Sequence, residues 1–90
     1  MNTYFVTYLL DNSDKTYHKI SRRLRSYPKW AKLFARAWLI RTGHSPNRVR
    51  DELIAAIEEQ GQVVVIEISD SAWSTFKIDE EVIRWMKENI

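Results

Sequence analysis

The sequence predicts a small α+β domain, and three patterns carry that prediction. Residues 3–10 are rich in aromatic and β-branched side chains, with an apolar residue at every second position, as in a half-buried strand. Residues 62–69 form a second apolar, β-branched run that is too short for an independent helix. Apolar stripes at spacings of three and four residues mark three amphipathic helices elsewhere in the chain.

Length and composition limit the protein class. A chain of 90 residues is expected to form one domain spanning residues 1–90, because it cannot support two separate cores. The absence of Cys excludes disulfides, thiolate zinc sites and thiol nucleophiles, and it suits the cytoplasm, which is the expected location. No stretch approaches the roughly 20 apolar residues of a membrane span, and the N-terminus lacks a secretory signal pattern. We therefore expect neither membrane association nor export.

The first helix is predicted to begin in the polar cluster at residues 11–14 and to end before Pro28. Asp, Asn and Ser favour helix starts because their side chains accept hydrogen bonds from free backbone N–H groups. Tyr17, Ile20, Leu24 and Tyr27 form its apolar stripe. The opposite side of this helix is cationic. It is either an ordinary solvated helix face or a surface that contacts phosphates. The nucleic-acid-binding residues predicted on that side are Lys15, Lys19, Arg22, Arg23 and Arg25.

Residues 29–42 fit two structures. Trp30, Leu33, Phe34, Ala37 and Trp38 recur at helical spacing, which predicts an amphipathic helix. Residues 37–42 also resemble a buried strand, and a helix here would be joined to the preceding one by almost no loop. The local pattern alone leaves both structures open.

Two more helices are marked by their ends. Ser45 suits the N-terminal cap of a helix over residues 46–57, and Gly61 suits its C-terminal cap. Asp79 is expected to cap a last helix whose stripe is Ile78, Val82, Trp85 and Met86. The run at residues 62–69 is predicted to be a central strand buried on both faces. Residues 70–77 fit either a short edge strand or an ordered loop.

The net charge of +2 conceals an asymmetry along the chain. Residues 1–50 contain eleven Lys and Arg against two acids, a net charge of +9, whereas residues 51–90 contain three against ten, a net charge of −7. If the basic half folds onto one surface, that surface could hold RNA, DNA or the acidic face of a protein partner. Mutual neutralisation of the two halves within the fold is the alternative.

Few residues offer catalytic chemistry. The sequence has no glycine-rich phosphate loop and no nucleophile elbow, so nucleotide hydrolysis and serine hydrolysis are not expected. His44 is a candidate general base in a turn, and Asp11 is a candidate Mg²⁺ ligand after the first strand. An idle surface histidine and a capping acid are the alternatives. No metal site and no cofactor are predicted, and Mg²⁺ is relevant only to a nuclease. Four aromatic residues could either stack on bases or pack in the core or in a dimer interface: Tyr4, Tyr8, Trp38 and Trp73.

Four short motifs resemble a known family. They are YFVTYLL at residues 4–10, WLIRT at 38–42, VRDEL at 49–53 and VVVIEI at 63–68. Together they are similar to small bacterial and phage proteins often labelled the SinR family, which resemble the second CRISPR-associated protein and the VapD endoribonucleases. The resemblance implies a ferredoxin-like β-α-β-β-α-β domain with an extra C-terminal helix, dimerising through the open face of its sheet. It also implies strands in residues 30–42.

The resemblance also identifies a position that departs from the family's nucleases. Those members carry an Asp directly after a strand-ending Tyr, where it is proposed to hold a metal ion between two subunits. Here Tyr8 is followed by Leu9, whose side chain cannot ligate Mg²⁺. The expected function is therefore a dimeric nucleic-acid-binding protein without metal-dependent nuclease activity. The alternatives are a small endoribonuclease that uses Asp11 or His44, and a phage or plasmid protein-interaction module.

Overall fold

The α+β prediction is confirmed by a computed structural model of the protein. The structure describes residues 1–11 and 15–90 in full, together with the backbone of Asp14. Within these ranges the elements alternate as β-α-β-β-α-β-α, and no helix is long and apolar enough to cross a membrane. In chain order they are β1 (Asn2–Leu10), α1 (Asp14–Arg25), β2 (Lys29–Phe34), β3 (Ala37–Thr42), α2 (Pro46–Ala56), β4 (Gly61–Glu67) and α3 (Glu80–Asn89).

The four strands form one antiparallel sheet in the order β2-β3-β1-β4. Strand β1 lies in the middle, where Val6 is opposite Trp38 of β3 on one side and Val65 of β4 on the other. Strands β2 and β4 are therefore the edges of the sheet.

Helices α1 and α2 cover one face of this sheet. Alternate residues of β1 point toward them, as the period of two requires. The core on this side buries Tyr4, Val6 and Tyr8 of β1, Trp38 and Ile40 of β3, Ile20 and Leu24 of α1, and Val49 and Leu53 of α2. The outer sides of both helices are consequently left to polar residues.

Helix α3 covers only part of the opposite face. Its apolar side packs on β2, β3 and the middle of β1, with Met86 buried against Ala31 and Leu39. Its C-terminal end is fixed because the Asn89 carbonyl accepts hydrogen bonds from the Arg41 guanidinium, at 2.9 Å, and from the Thr3 hydroxyl. A cation at this end also complements the helix dipole.

No helix of the described part of the chain covers the rest of that face, on β1 and β4. The side chains of Leu9, Val64 and Ile66 are 54%, 48% and 51% exposed there. The strand register places Val64 beside Thr7 and Ile66 beside Phe5, so these residues share one face. We call the three exposed residues the β4 patch.

Two predictions about strands are corrected. The helix predicted for residues 29–42 from local periodicity is wrong, because this segment is the hairpin of β2 and β3, as the family resemblance implies. The central position predicted for residues 62–69 is also wrong. Among the strands of the described residues, β4 pairs with β1 alone, and its outward-facing Val64 and Ile66 are half exposed.

The predicted caps have mixed outcomes. Ser45 caps α2 as predicted, since its hydroxyl accepts a hydrogen bond from the Arg48 backbone N–H at 3.1 Å. Asp79 occupies the cap position of α3, but its side chain makes no capping hydrogen bond. Residues 70–77 form a loop rather than an edge strand. The capping predicted for residues 11–14 involves Asn12, Ser13 and the Asp14 side chain, which lie outside the described residues.

Gly61 begins β4 rather than capping α2, whose C-terminal cap is Ile57. A Cβ at residue 61 would lie 2.7 Å from the backbone oxygen of Leu9. Because backbone would have to move, we expect Gly61→Ala to lower the free energy of unfolding by about 1–3 kcal/mol in chemical denaturation. Gly43→Ala is the matched control: nothing lies within 4 Å of its added Cβ, so a change below about 0.5 kcal/mol is expected. Equal changes in unfolding free energy for the two variants would contradict the close contact between residue 61 and the Leu9 backbone.

Candidate nucleic-acid interface

The outer side of α1 carries the predicted basic residues. Ile20 and Leu24 anchor the inner side against the sheet, so the other side faces solvent. The residues exposed there are Lys15, Lys19, Arg22 and Arg25, with Arg23 partly buried toward α2. The five cations are thus brought onto one helix face, as predicted.

A groove of about 350 Å³ separates α1 from α2 on this side. Its lining consists of Lys19, Arg22, Arg23, Ser26 and Ala56. Three of the five lining residues are cationic. The groove therefore presents positive charge on a concave surface. We call this feature the basic groove.

Ion pairs neutralise the basic half only in part. Within the described residues, the acids that pair with it are Asp51 and Glu52 on α2 and Glu58 just beyond it. Arg22 and Arg25 form no ion pair there. The acids of α3 lie on the opposite side of the sheet and form no ion pair with any residue that the structure describes. The acids of α2 therefore offset part of the positive charge of α1, whereas those of α3 are kept apart from it.

Glu52 is the most highly contacted charge of this region. Its Oε1 accepts hydrogen bonds from the Tyr27 hydroxyl at 2.8 Å and from His44 Nδ1 at 3.1 Å. Its Oε2 lies 3.0 Å from Arg23 Nη2 and 3.4 Å from Arg48 Nε. The carboxylate thus connects α1, the turn after it, the β3–α2 turn and α2. We call these five residues the Glu52 cluster.

The contacts determine the ionisation of the cluster. Partial burial raises the pKa of Glu52, but hydrogen bonds from Tyr27, His44 and Arg23 outweigh it and lower that pKa from 4.5 to about 2. Burial, followed by the hydrogen bond to Glu52, raises the pKa of the Tyr27 hydroxyl well above its usual range. Glu52 is therefore an anion at neutral pH, and Tyr27 is a neutral donor.

The two candidate catalytic residues lie at opposite ends of the sheet. The Tyr4 hydroxyl, near the start of β1, donates to the His44 carbonyl at 2.6 Å, whereas Asp11 follows the end of β1. Nine residues of strand separate the two ends by about 25 Å. Asp11 and His44 therefore cannot act on the same bond. Among the side chains of residues 1–11 and 15–90, no group of three or more His, Cys, Asp or Glu residues could hold a metal ion.

Other candidates are placed away from the basic groove. Tyr4, Tyr8 and Trp38 are buried in the core, so of the two alternatives for these three residues core packing is correct and base stacking is not. Trp73 is exposed in the loop before α3. Leu9, which follows Tyr8 where the resemblance implies a metal-binding Asp in the nuclease members, belongs to the β4 patch.

Sequence reasoning missed most of the Glu52 cluster. The sequence pattern places Tyr27 only in an apolar stripe and indicates no role for Glu52 or Arg48. A signal was nevertheless present, because His44, Arg48 and Glu52 recur at spacings of four residues along the start of α2. The contribution of Arg23 and Tyr27 depends on how α1 packs against α2, which no local pattern contains.

Comparison with known proteins gives no relative. No family model matches the chain, and no match was found among curated proteins or among solved structures. The resemblance to the SinR family stays a prediction.

The lowered pKa of Glu52 makes folding stability depend on acid pH. Since this pKa is lower in the folded protein than in the unfolded chain, its stabilisation is present above about pH 4.5 and is lost as the pH falls toward 2. We expect Glu52→Gln to remove about 2 kcal/mol of the acid-dependent loss in unfolding free energy, measured by denaturation between about pH 5 and pH 2.

Glu58→Gln is the control for that measurement. The Lys19–Glu58 pair has side chains that are 48% and 67% exposed, and such pairs contribute little. The unfolding free energy of Glu58→Gln should therefore depend on pH as that of the unmodified protein does. If the unfolding free energies of Glu52→Gln and the unmodified protein have the same pH dependence, Glu52 is not the source of the acid-dependent loss.

Proposed function

We propose that this protein binds nucleic acid through the basic groove. The observation that carries the proposal is a concave, cation-lined surface between α1 and α2, on the opposite side of the sheet from the acids of α3. Lys15, Lys19 and Arg22 follow one another at helical steps, which places neighbouring side chains about 5–6 Å apart. Such a row can contact successive phosphates and release their counterions. The missing cysteines and the charge pattern favour a cytoplasmic protein of this kind.

We further propose a ferredoxin-like fold of the SinR type. Support comes from the β-α-β-β-α-β order, the sheet order β2-β3-β1-β4 and the additional helix α3. Leu9 at the position of the family's Asp argues against the metal-dependent cleavage of the nuclease members.

A homodimer through the uncovered part of the sheet completes this proposal. The β4 patch is apolar and exposed on the part of the sheet that α3 leaves open. Two copies packed face to face about a two-fold axis bury both patches against each other, because a two-fold interface uses the same surface on both copies. A second copy of this chain is therefore the occupant that we propose.

The binding proposal predicts the effect of reversing charges on α1. Arg22→Glu combined with Arg25→Glu should weaken binding of labelled oligonucleotides about 10-fold or more and should reduce the salt slope by about 2. Fluorescence anisotropy with single- and double-stranded RNA and DNA, in EDTA and across a salt titration, measures both quantities.

The matched control reverses two charges on the other side of the sheet. Arg84 and Lys87 are exposed on α3, so their change to Glu should alter affinity less than about 3-fold. Absence of binding to every oligonucleotide at about 50 mM salt would refute the proposal. Binding of polyglutamate under those conditions would then indicate an acidic protein partner.

The dimer proposal predicts a change in mass. Val64→Lys places a charge in the β4 patch and should shift the protein from dimer to monomer in sedimentation equilibrium. Phe76→Lys is the control, because Phe76 is exposed in the loop before α3, outside the patch, and should leave the dimer intact. A monomeric unmodified protein at high concentration would contradict the proposal.

A further inference from the structure

The strongest chemical feature beside the basic groove is the ring of His44. Its backbone is held on two sides: the carbonyl accepts from the Tyr4 hydroxyl, and the N–H donates to Thr42 Oγ1 at 3.2 Å. The ring contacts Tyr27 edge to face, with centroids 6.2 Å apart. Its position is thus determined by the fold.

Glu52 determines which nitrogen of the ring carries the proton. An ionised carboxylate can only accept hydrogen bonds, so His44 Nδ1, at 3.1 Å, must be the donor. In the neutral ring, Nε2 then has a free lone pair. Nε2 makes no hydrogen bond to any residue that the structure describes, and the side chain is 31% exposed. The lone pair is therefore available to a ligand.

The surroundings of the ring suit a phosphodiester. Arg23 and Arg48 both contact Glu52, and each guanidinium has further N–H groups for an anion. Arg23 lines the basic groove and also contacts Glu52, so this one side chain joins the groove to the Glu52 cluster. A chain bound in the groove can therefore bring a phosphate and its neighbouring sugar toward His44.

We infer that His44 is the general base of a metal-independent RNA-cleaving site formed with Glu52, Arg23 and Arg48. This inference rests on the proposed binding of nucleic acid and names RNA as the substrate. DNA is not a substrate, because the reaction needs a 2′-hydroxyl group.

The reaction requires no co-reactant other than water. His44 Nε2 accepts the proton of the 2′-hydroxyl, and the 2′-oxygen forms a bond to phosphorus. The bond from phosphorus to the 5′-oxygen breaks, and that oxygen keeps the electron pair and takes a proton from water. The imidazolium returns its proton to the resulting hydroxide. The products are a 2′,3′-cyclic phosphate and a 5′-hydroxyl end. Glu52 is a positioning residue that fixes the ring and stabilises the imidazolium.

The test is cleavage of single-stranded RNA in EDTA, with product ends identified by mass spectrometry. We expect cyclic phosphate ends and a rate loss of about 100-fold or more in His44→Ala. His44→Asn should behave in the same way while retaining a donor toward Glu52, which guards against a folding defect in the alanine variant. The control is His18→Ala: His18 is exposed on α1, and its loss should change the rate less than about 2-fold.

Glu52→Gln tests the positioning role. It should lower kcat about 10-fold or more with KM changed less than about 2-fold, since the lost charge acts on the imidazolium and not on substrate binding. Equal losses in kcat and affinity would overturn this role.

A non-cleavable ligand separates the two proposals. RNA that is 2′-O-methylated at every position should bind the unmodified protein and both His44 variants alike. Binding of this ligand without cleavage of ordinary RNA would overturn the inference and leave the proposed function intact. Cleavage by His44→Ala at the unmodified rate would also overturn it. Absence of binding would refute both proposals.

Discussion

Burial of β1 between two unequal layers is the constraint on which the rest of this structure depends. One face of the strand presents Tyr4, Val6 and Tyr8 to α1 and α2, so it needs a complete helical cover. The other face of β1 is covered only at its start. Thr3 is buried there and donates a hydrogen bond to the end of α3, whereas Leu9, at the other end of the strand, is exposed. A ten-residue helix cannot cover four strands. Because α3 is too short to cover all four strands, part of the sheet stays uncovered.

The same arrangement couples stability to the candidate chemistry. Glu52 lies on α2, next to the basic helix α1, and its side chain is only 19% exposed. A partly buried anion is stable there only because four donors surround it. The contacts that join α1 to α2 are therefore also the contacts that orient His44. Changes to the cluster affect folding and ring geometry together, which is why each of its tests needs a variant that preserves the packing.

The sequence predicts what short-range physics determines. Strand β1 follows from alternation, and the Ser45 cap follows from side-chain chemistry. The helix prediction for residues 29–42 is wrong because the apolar residues of this hairpin pack on both faces of the sheet. Trp38 and Ile40 face α1 and α2, whereas Leu39 faces α3, so the apolar spacing does not mark one side of a helix. The edge position of β4 and the meeting of Arg23 with Glu52 depend on tertiary packing, so no local pattern predicts them. The basic face of α1 was predictable because charge on an exposed helix needs no partner.

The positions of the two surfaces relate the proposed dimer to the proposed binding. The β4 patch and the basic groove lie on opposite faces of one sheet. A dimer formed through β4 would therefore leave both grooves open to solvent, and neither groove would lose a cation to the interface. Two grooves in one assembly raise the effective concentration of the second site for any ligand long enough to reach it. Loss of dimerisation would then weaken binding of long oligonucleotides more than that of short ones, with every groove residue unchanged.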